Sequence, residues 1–277
     1  MKINALNLDY KTLNRRIYSA VNSVKDIKIL TIDNVNGQRF IASGLDKHLK
    51  IGISGVPGND LGSFMNGPTI IVDGNGQDAV GNTMSGGKIV INGHAGDAVG
   101  YSMRGGKIFI RGNAGYRTGI HMKEYKESVP VIVIGGRAKD FLGEYMAGGI
   151  IIVLGHHDDD ERHNVTHKAT VLNLNRHKTG RFCCGSHSAS GMHGGAIYIP
   201  HDQQPPRLPK GVRVDFPSEN ELKFIHNILN EFADDMKSFS HHHDARGKTG
   251  IKNHISRIRF IKIHPASRRP YGNLYAY

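Results

Sequence analysis

Residues 74–91 read GNGQDAVGNTMSGGKIVI, and residues 93–110 read GHAGDAVGYSMRGGKIFI. The second string is the first moved along by 19 residues. The period extends in both directions: Gly62, Gly81, Gly100 and Gly119 are evenly spaced, as are Met65, Met84, Met103 and Met122. After a five-residue slip the unit returns with Gly143 and Met146, and a degenerate copy ends at Met192. A fixed period near 20 residues predicts stacked coils, each burying its apolar face against its neighbours.

Each unit runs from a Gly-rich turn through a short apolar piece, Gly, Met and Gly-Gly to a β-branched strand. The predicted strands are 69–72, 88–91, 107–110, 131–134, 150–153 and 196–199. Ile70/Val72, Ile89/Ile91, Ile108/Ile110, Ile132/Ile134, Ile151/Val153 and Ile197/Ile199 share one phase. A strand alternates its side chains between two faces, so these pairs stack into an inner core. The opposite phase (Ile71, Val90, Phe109, Val133, Ile152, Tyr198) is also apolar. That outer face therefore needs a cover, either this chain's own tail or a partner. The fold class expected is an all-β solenoid, a right-handed parallel β-helix with 19-residue coils and a C-terminal helical and mixed extension.

The 35 glycines are read as corners, because sharp turns need positive φ or close backbone approach. Gly86-Gly87, Gly105-Gly106 and Gly148-Gly149 mark such corners, and Gly86 and Gly105 are expected at positive φ. A phosphate-cradling loop is the rival reading of these strings. A dinucleotide fold would follow such a string with a helix, and here a strand follows.

Three parts are expected: an N-terminal segment over 1–50, the repeat body over 51–200 and a C-terminal extension over 201–277. In the first, residues 9–21 suit a helix and 27–33 a strand. In the last, Ser218 and Glu221 form a capping box ahead of Leu222, Ile225, Ile228, Leu229, Phe232 and Met236 at helical spacing. This helix, 218–237, should cap the open end of the stack or dock on an uncovered sheet. A strand is expected at 257–263.

Composition narrows the function classes. The net charge of +12 is spread along the chain, Trp is absent and no nucleic-acid motif is visible, so nucleic acid is not an expected partner. No apolar run is long enough to span a membrane and no signal peptide is seen. The two cysteines, Cys183 and Cys184, are adjacent, which argues against a disulfide framework and for a cytoplasmic location.

Several clusters invite chemistry. The segment HHDDDERHNVTH brings His156, His157, His163 and His167 near three aspartates and a glutamate, as candidate metal ligands. Its spacing matches no defined site and it sits where a turn should be, so a solvated insertion loop is the preferred reading. Cys183 and Cys184 with His187 and His193 are a second candidate set, against which stands a coil corner with buried thiols. His241–His243 suit a linker. The Met ladder reads as core packing rather than a soft-metal channel. A polysaccharide-cleaving β-helix would carry carboxylates on neighbouring strands, and these strands carry almost none. No catalytic or cofactor-binding residue is assigned.

The strings from Gly58 to Gly155, with GNDLGSFMNGPTIIVDGNGQDAVGNTMSGGKIVING and DFLGEYMAGGIIIVLG, resemble the GXGXG domain that closes the large (alpha) subunit of glutamate synthase. GEYMAGG is similar to that family's CEYMTGG segment, and residues 13–33 resemble its lead-in. The likeness covers about residues 10–200. It implies a right-handed parallel β-helix with a structural role, holding the glutamine amidotransferase and FMN-binding synthase parts together. It implies no cofactor on this chain, with FMN and an iron–sulfur cluster on partner chains. The GXGXG-repeat component of formylmethanofuran dehydrogenase is similar in its coils and gives the alternative. The sequence departs from the fused-domain pattern at 156–190 and 201–277; its ending, RRPYGNLYAY, looks like a feature of stand-alone versions.

Overall fold

The computed structural model describes residues 1–24, 26–155, 182–203, 207–237 and 255–267. It is a parallel β-solenoid. Nine strands stack in chain order: β1 (Lys2–Asn4), β2 (Ile29–Asn36), β3 (Lys50–Val56), β4 (Asn66–Asp73), β5 (Gly86–Ile91), β6 (Lys107–Ile110), β7 (Val131–Ile134), β8 (Ala147–Val153) and β9 (Gly194–Pro200). Two further strands, β10 (Val212–Asp215) and β11 (Phe260–Pro265), extend the sheet in the order β9-β11-β10. Helix α1 (Tyr10–Ser23) lies between β1 and β2, and helix α2 (Glu219–Lys237) between β10 and β11.

The register is the one the repeat demands. Ile70, Ile89, Ile108, Ile132, Ile151 and Ile197 are successive partners across β4 to β9. Leu30 and Ile51 continue that column back through β2 and β3. All are sealed from solvent, as are Met65, Met84, Met103, Met122, Met146 and Met192. One row of like residues per coil thus makes a continuous core.

The outer face is covered by this chain's own helix. Ile225, Ile228, Leu229, Phe232, Ala233 and Met236 of α2 pack on Ile71, Val90, Phe109, Val133 and Ile152. The rings of Phe232 and Phe109 meet edge to face at 5.7 Å. Ion pairs mark the helix's course across the strands. Glu221, in its first turn, meets Lys262 of β11, while Glu231 and Asp235, near its end, meet Lys107 of β6 and Lys88 of β5. Nineteen residues at a rise of about 1.5 Å give about 28 Å, enough to cross six strands spaced about 4.8 Å apart. Of the two roles expected for this helix, docking on the sheet is the one it takes.

The stack's ends are closed by other elements. Leu13, Ile17, Ala20 and Val21 of α1 join the inner core at its N-terminal end. At the other end β11 runs antiparallel to β9, and β10 antiparallel to β11. Parallel growth therefore stops at β9, and the outermost strand is four residues long with Arg213 and Asp215 exposed, a poor template for further pairing.

Both helices start on side-chain caps, and that of α2 is the one read from the sequence. Asp9 Oδ1 accepts from the backbone N–H of Lys11 and Thr12. Ser218 and Glu221 exchange hydrogen bonds in the capping box. One expectation needs correction. Positive φ falls on the second glycine of each pair, at Gly87 (+84°), Gly106 (+81°) and Gly149 (+94°), and not on Gly86 or Gly105. The first glycine serves close approach instead: a Cβ on Gly105 would lie 2.3 Å from the Ser85 carbonyl oxygen.

Candidate functional site

Opposite the sheet, each coil turns twice in quick succession. Ser63 N–H bonds to Asp60 C=O, and Met65 N–H to Gly62 C=O, giving two overlapping four-residue turns. The pattern recurs at 79–84, 98–103, 117–122, 141–146 and 187–192. Three alternating residues in each coil have positive φ, such as Ala98, Gly100 and Ser102. The middle one must be small because it faces inward: a Cβ on Gly100 would lie 2.5 Å from Ile132 Cδ1. The flanking two face outward and accept large residues, despite the cost of that backbone region to L-amino acids.

A ladder of polar side chains ties these turns together. Asp78 Oδ1 accepts from Asp97 N–H at 2.8 Å, Asp97 Oδ1 from Tyr116 N–H at 2.9 Å and Asp140 Oδ1 from Ser186 N–H at 2.8 Å. A second ladder runs from Asn75 Oδ1 to His94 N–H, from His94 Nδ1 to Asn113 N–H and from Asn113 Oδ1 to Arg137 N–H, each at 2.8 Å. Glycines make room for these acceptors: a Cβ on Gly96 would fall 2.2 Å from Asp78 Oδ1, and one on Gly112 2.4 Å from His94 Nδ1. The alternating glycines therefore reflect each coil's acceptors reaching backbone N–H groups of the next. Sequence reading missed this role for Asn75, Asp78, His94, Asp97 and Asn113. The signal was present, since Asn75/His94/Asn113 and Asp78/Asp97 recur at the coil period.

The outward turn positions carry stacked rings. His121 lies on Tyr145 at 5.3 Å and 11°, and His187 on Phe141 at 5.1 Å and 12°. The Arg117 guanidinium sits 4.8 Å from the Phe141 ring, and the Lys139 ammonium 4.8 Å from Tyr116. Two ring-lined grooves lie elsewhere. One, of about 450 Å³, runs between α1 and the first coil and is lined by Tyr10, Lys11, Asn14, Arg15, Tyr18, Phe40 and Ser43. The other, of about 480 Å³, flanks the start of α2, with Tyr198, Glu221, Phe224, Lys262 and His264 in its wall.

The second groove holds strongly perturbed groups, and their arrangement is that of an anchor. Tyr198 Oη donates to Glu221 Oε1 at 3.2 Å and Lys262 Nζ donates to the same oxygen at 2.5 Å. Burial opposes the Glu221 charge, but Lys262 and the Ser218 hydrogen bonds outweigh it and hold the carboxyl down at about 2. A carboxylate held there is a weak base at neutral pH. Burial, with Glu221 beside it, raises the Tyr198 phenol, which stays protonated. Lys88 follows the same logic: burial disfavours its charge, yet Asp235 and Glu231 raise it above the ordinary lysine value.

The described members of the sequence-derived metal candidates do not converge. His156, His157, His163 and His167, with His241–His243, lie outside the described residues. Cys183 and Cys184 are buried in the inner core. The Cys183 thiol donates to Cys184; this hydrogen bond and burial both raise Cys183, while the same hydrogen bond lowers Cys184 against the opposing effect of burial. His187 is engaged with Phe141, and His193 Nδ1 lies 2.6 Å from the Gly191 carbonyl oxygen. Among the described residues, no three His, Cys, Asp or Glu side chains are grouped to hold a metal ion. No helix among them is long and apolar enough to cross a membrane.

Comparison with known proteins places these features. The profile of the GXGXG motif family matches residues 11–243, from α1 through the end of α2. An uncharacterized protein of Methanocaldococcus jannaschii is 47% identical over 276 residues, spanning 99% of this chain and 95% of the relative.

Proposed function

The chain belongs to the GXGXG family, and from that premise we propose that it is a non-catalytic structural subunit of a glutamate synthase-like complex. In this reading it scaffolds a glutamine amidotransferase chain and an FMN-binding synthase chain. Those chains carry the flavin and an iron–sulfur cluster and convert glutamine and 2-oxoglutarate to glutamate. The observation that carries the proposal is the span of the family match, since the GXGXG domain is found in glutamate synthase. The M. jannaschii relative, an uncharacterized stand-alone protein of nearly the same extent, supports a separately encoded form.

The geometry agrees with a scaffold. The repeated geometry of each coil, from the inner isoleucines to the Asp and Asn acceptors, is occupied in joining one coil to the next. The most perturbed carboxylate, Glu221, fastens a helix. The apolar outer sheet face is already taken by α2, so partner chains must use other surfaces.

Native affinity purification of this chain, with mass spectrometry and an absorption spectrum of the eluate, tests the proposal. A class II amidotransferase chain and a flavin-containing synthase chain are the expected companions. A companion polypeptide holding a molybdenum or tungsten pterin would replace the reading with a formylmethanofuran dehydrogenase-like complex. A colourless chain eluting alone would remove the scaffold role.

A further inference from the structure

We propose that the groove between α1 and the first coil receives an acidic segment of a partner polypeptide, anchored by one apolar side chain. The inference rests on this chain working in an assembly, but not on that assembly being a glutamate synthase.

Three observations carry it. The walls are apolar: the Tyr10 and Phe40 rings lie 6.0 Å apart at 54°, and Tyr18 lines the same groove. Tyr18 and Phe40 both remain more than a third exposed although each flanks a closed core. A groove of about 450 Å³ accommodates one large aliphatic or aromatic side chain with some adjoining backbone.

The rim is cationic. Lys11 and Arg15 line the groove, and the Arg39 guanidinium stands 5.0 Å from the Tyr10 ring and 5.8 Å from Phe40. Helix α1, YKTLNRRIYSAVNS, has three cations and no acidic residue. The carboxylate beside Arg15 is Asp9, and its oxygens already accept from Lys11 N–H, Thr12 N–H and the Thr12 hydroxyl. Among the described residues no salt bridge joins Lys11, Arg15 or Arg39 to a carboxylate. The cations on α2's sheet face are treated differently: Lys88, Lys107 and Lys262 each have a carboxylate from that helix.

Phe40 supplies the third observation. It sits at φ +59°, a backbone region unfavourable to a large L-residue, and it points to the outer side of its turn. The equivalent position in later coils is Asp60, Ala79, Ala98, Arg117, Phe141 or His187, so the fold accepts many side chains there and does not itself require an aromatic ring. Charge selects among occupants. This chain's own ending, RRPYGNLYAY, is aromatic but basic, and a cationic rim disfavours it, whether from the same chain or from a second copy.

The test is site-specific photocrosslinking in the source cells' native complex, with p-benzoylphenylalanine replacing Tyr18 and mass spectrometry of the joined peptides. The expected product is a peptide of another polypeptide that is rich in Asp and Glu and carries a large apolar residue at the linkage. Lys11→Glu with Arg15→Glu, both exposed on α1, should cut its yield about tenfold while leaving the circular dichroism melt unchanged, because rim charges govern encounter more than folding. A product within this chain, a basic or uncharged partner peptide, a yield indifferent to the charge reversal, or no product above a crosslinker placed at exposed Glu127 would each overturn the proposal. An acidic peptide from a protein other than an amidotransferase or synthase chain would uphold this groove and overturn the glutamate synthase reading. Failure of the groove alongside co-purification of those chains would do the reverse.

Discussion

The two sides of each coil are built by different rules. On the sheet side, apolar residues face both ways: the inner face packs on the core and the outer face on α2. On the turn side, the Gly100 column faces inward between buried apolar residues such as Val99 and Met103, and each turn is joined to the next coil by backbone bonds and Asp or Asn acceptors. The apolar outer face from β4 to β9 is thereby covered by α2, while the turn side leaves its outward positions free to vary. Those positions run from Ala79 to Phe141 along one column with the same backbone conformation. Variation without loss of fold is what a recognition surface needs, and the turn side is where this protein has room for it.

The sharpest way to break this contrast is on the inward turn column. Gly100→Val adds a β-branched side chain at φ +66° and drives its Cβ within 2.5 Å of Ile132 Cδ1. Backbone strain and overpacking together should cost roughly 5 kcal/mol. Ala98→Gly, two residues away at φ +54° but facing out, should change stability by less than about 1 kcal/mol. Urea titration followed by circular dichroism reads both. Equal losses would show that inward and outward turn positions are not distinguished.

The sheet side is tested at its cover. Phe232→Ala removes a sealed ring from the contact with Phe109 and should cost about 3–4 kcal/mol. Loss of the ring should also bind a hydrophobic dye to the uncovered outer face. A stable variant that binds no dye would mean that α2 is not what closes that face.

A gentler cut probes the ladder. Asp78→Ala leaves Asp97 N–H without its side-chain acceptor and should cost about 1–2 kcal/mol, whereas Asp78→Asn keeps an acceptor oxygen and should recover most of that. Equal behaviour of the two variants would assign the effect to charge and not to the hydrogen bond.

Much of this architecture was legible because the repeat reports its own core. Six β-branched pairs in one phase, six methionines in one column and the Ser218/Glu221 capping box were all visible in residue identities. The strand β3 was less so, because Gly52 and Gly55 interrupt its β-branched signature, and β10 is a four-residue edge with a single alternation. Backbone conformation at the turns was the larger gap. Local preference assigns positive φ to glycine, yet Ala79, Thr83, Ala98 and Ser102 adopt it because hydrogen bonds from coils on both sides fix their peptide groups. That decision belongs to the stack, so no single coil's sequence contains it. For the candidate site, the sequence pointed to His and Cys clusters. It gave little warning of the α1 groove, whose Tyr10, Arg15 and Phe40 meet only when the first coil folds back beside the helix.

The smallest effect concerns how the cover is fastened. Glu221 is held at about 2 in the folded chain, below its ordinary 4.5, because Lys262 and Ser218 favour its charged form. A depressed carboxyl stabilises the fold above its unfolded value and loses that contribution as pH falls toward the folded one. The window is therefore about 4.5 down to 2. A third of the side chain still meets water, so screening keeps the contribution below about 1 kcal/mol. Glu221→Gln should give a flatter dependence of the urea midpoint on pH across that window, with the remaining slope coming from Glu231, Asp215 and Asp9, whose carboxyls are also lowered. Glu231→Gln should flatten it independently, since that residue pairs with Lys88 and Lys107 and shares no partner with Glu221. If neither substitution changes the slope, the charges along α2 only place the helix in register, and its hold on the sheet is wholly apolar.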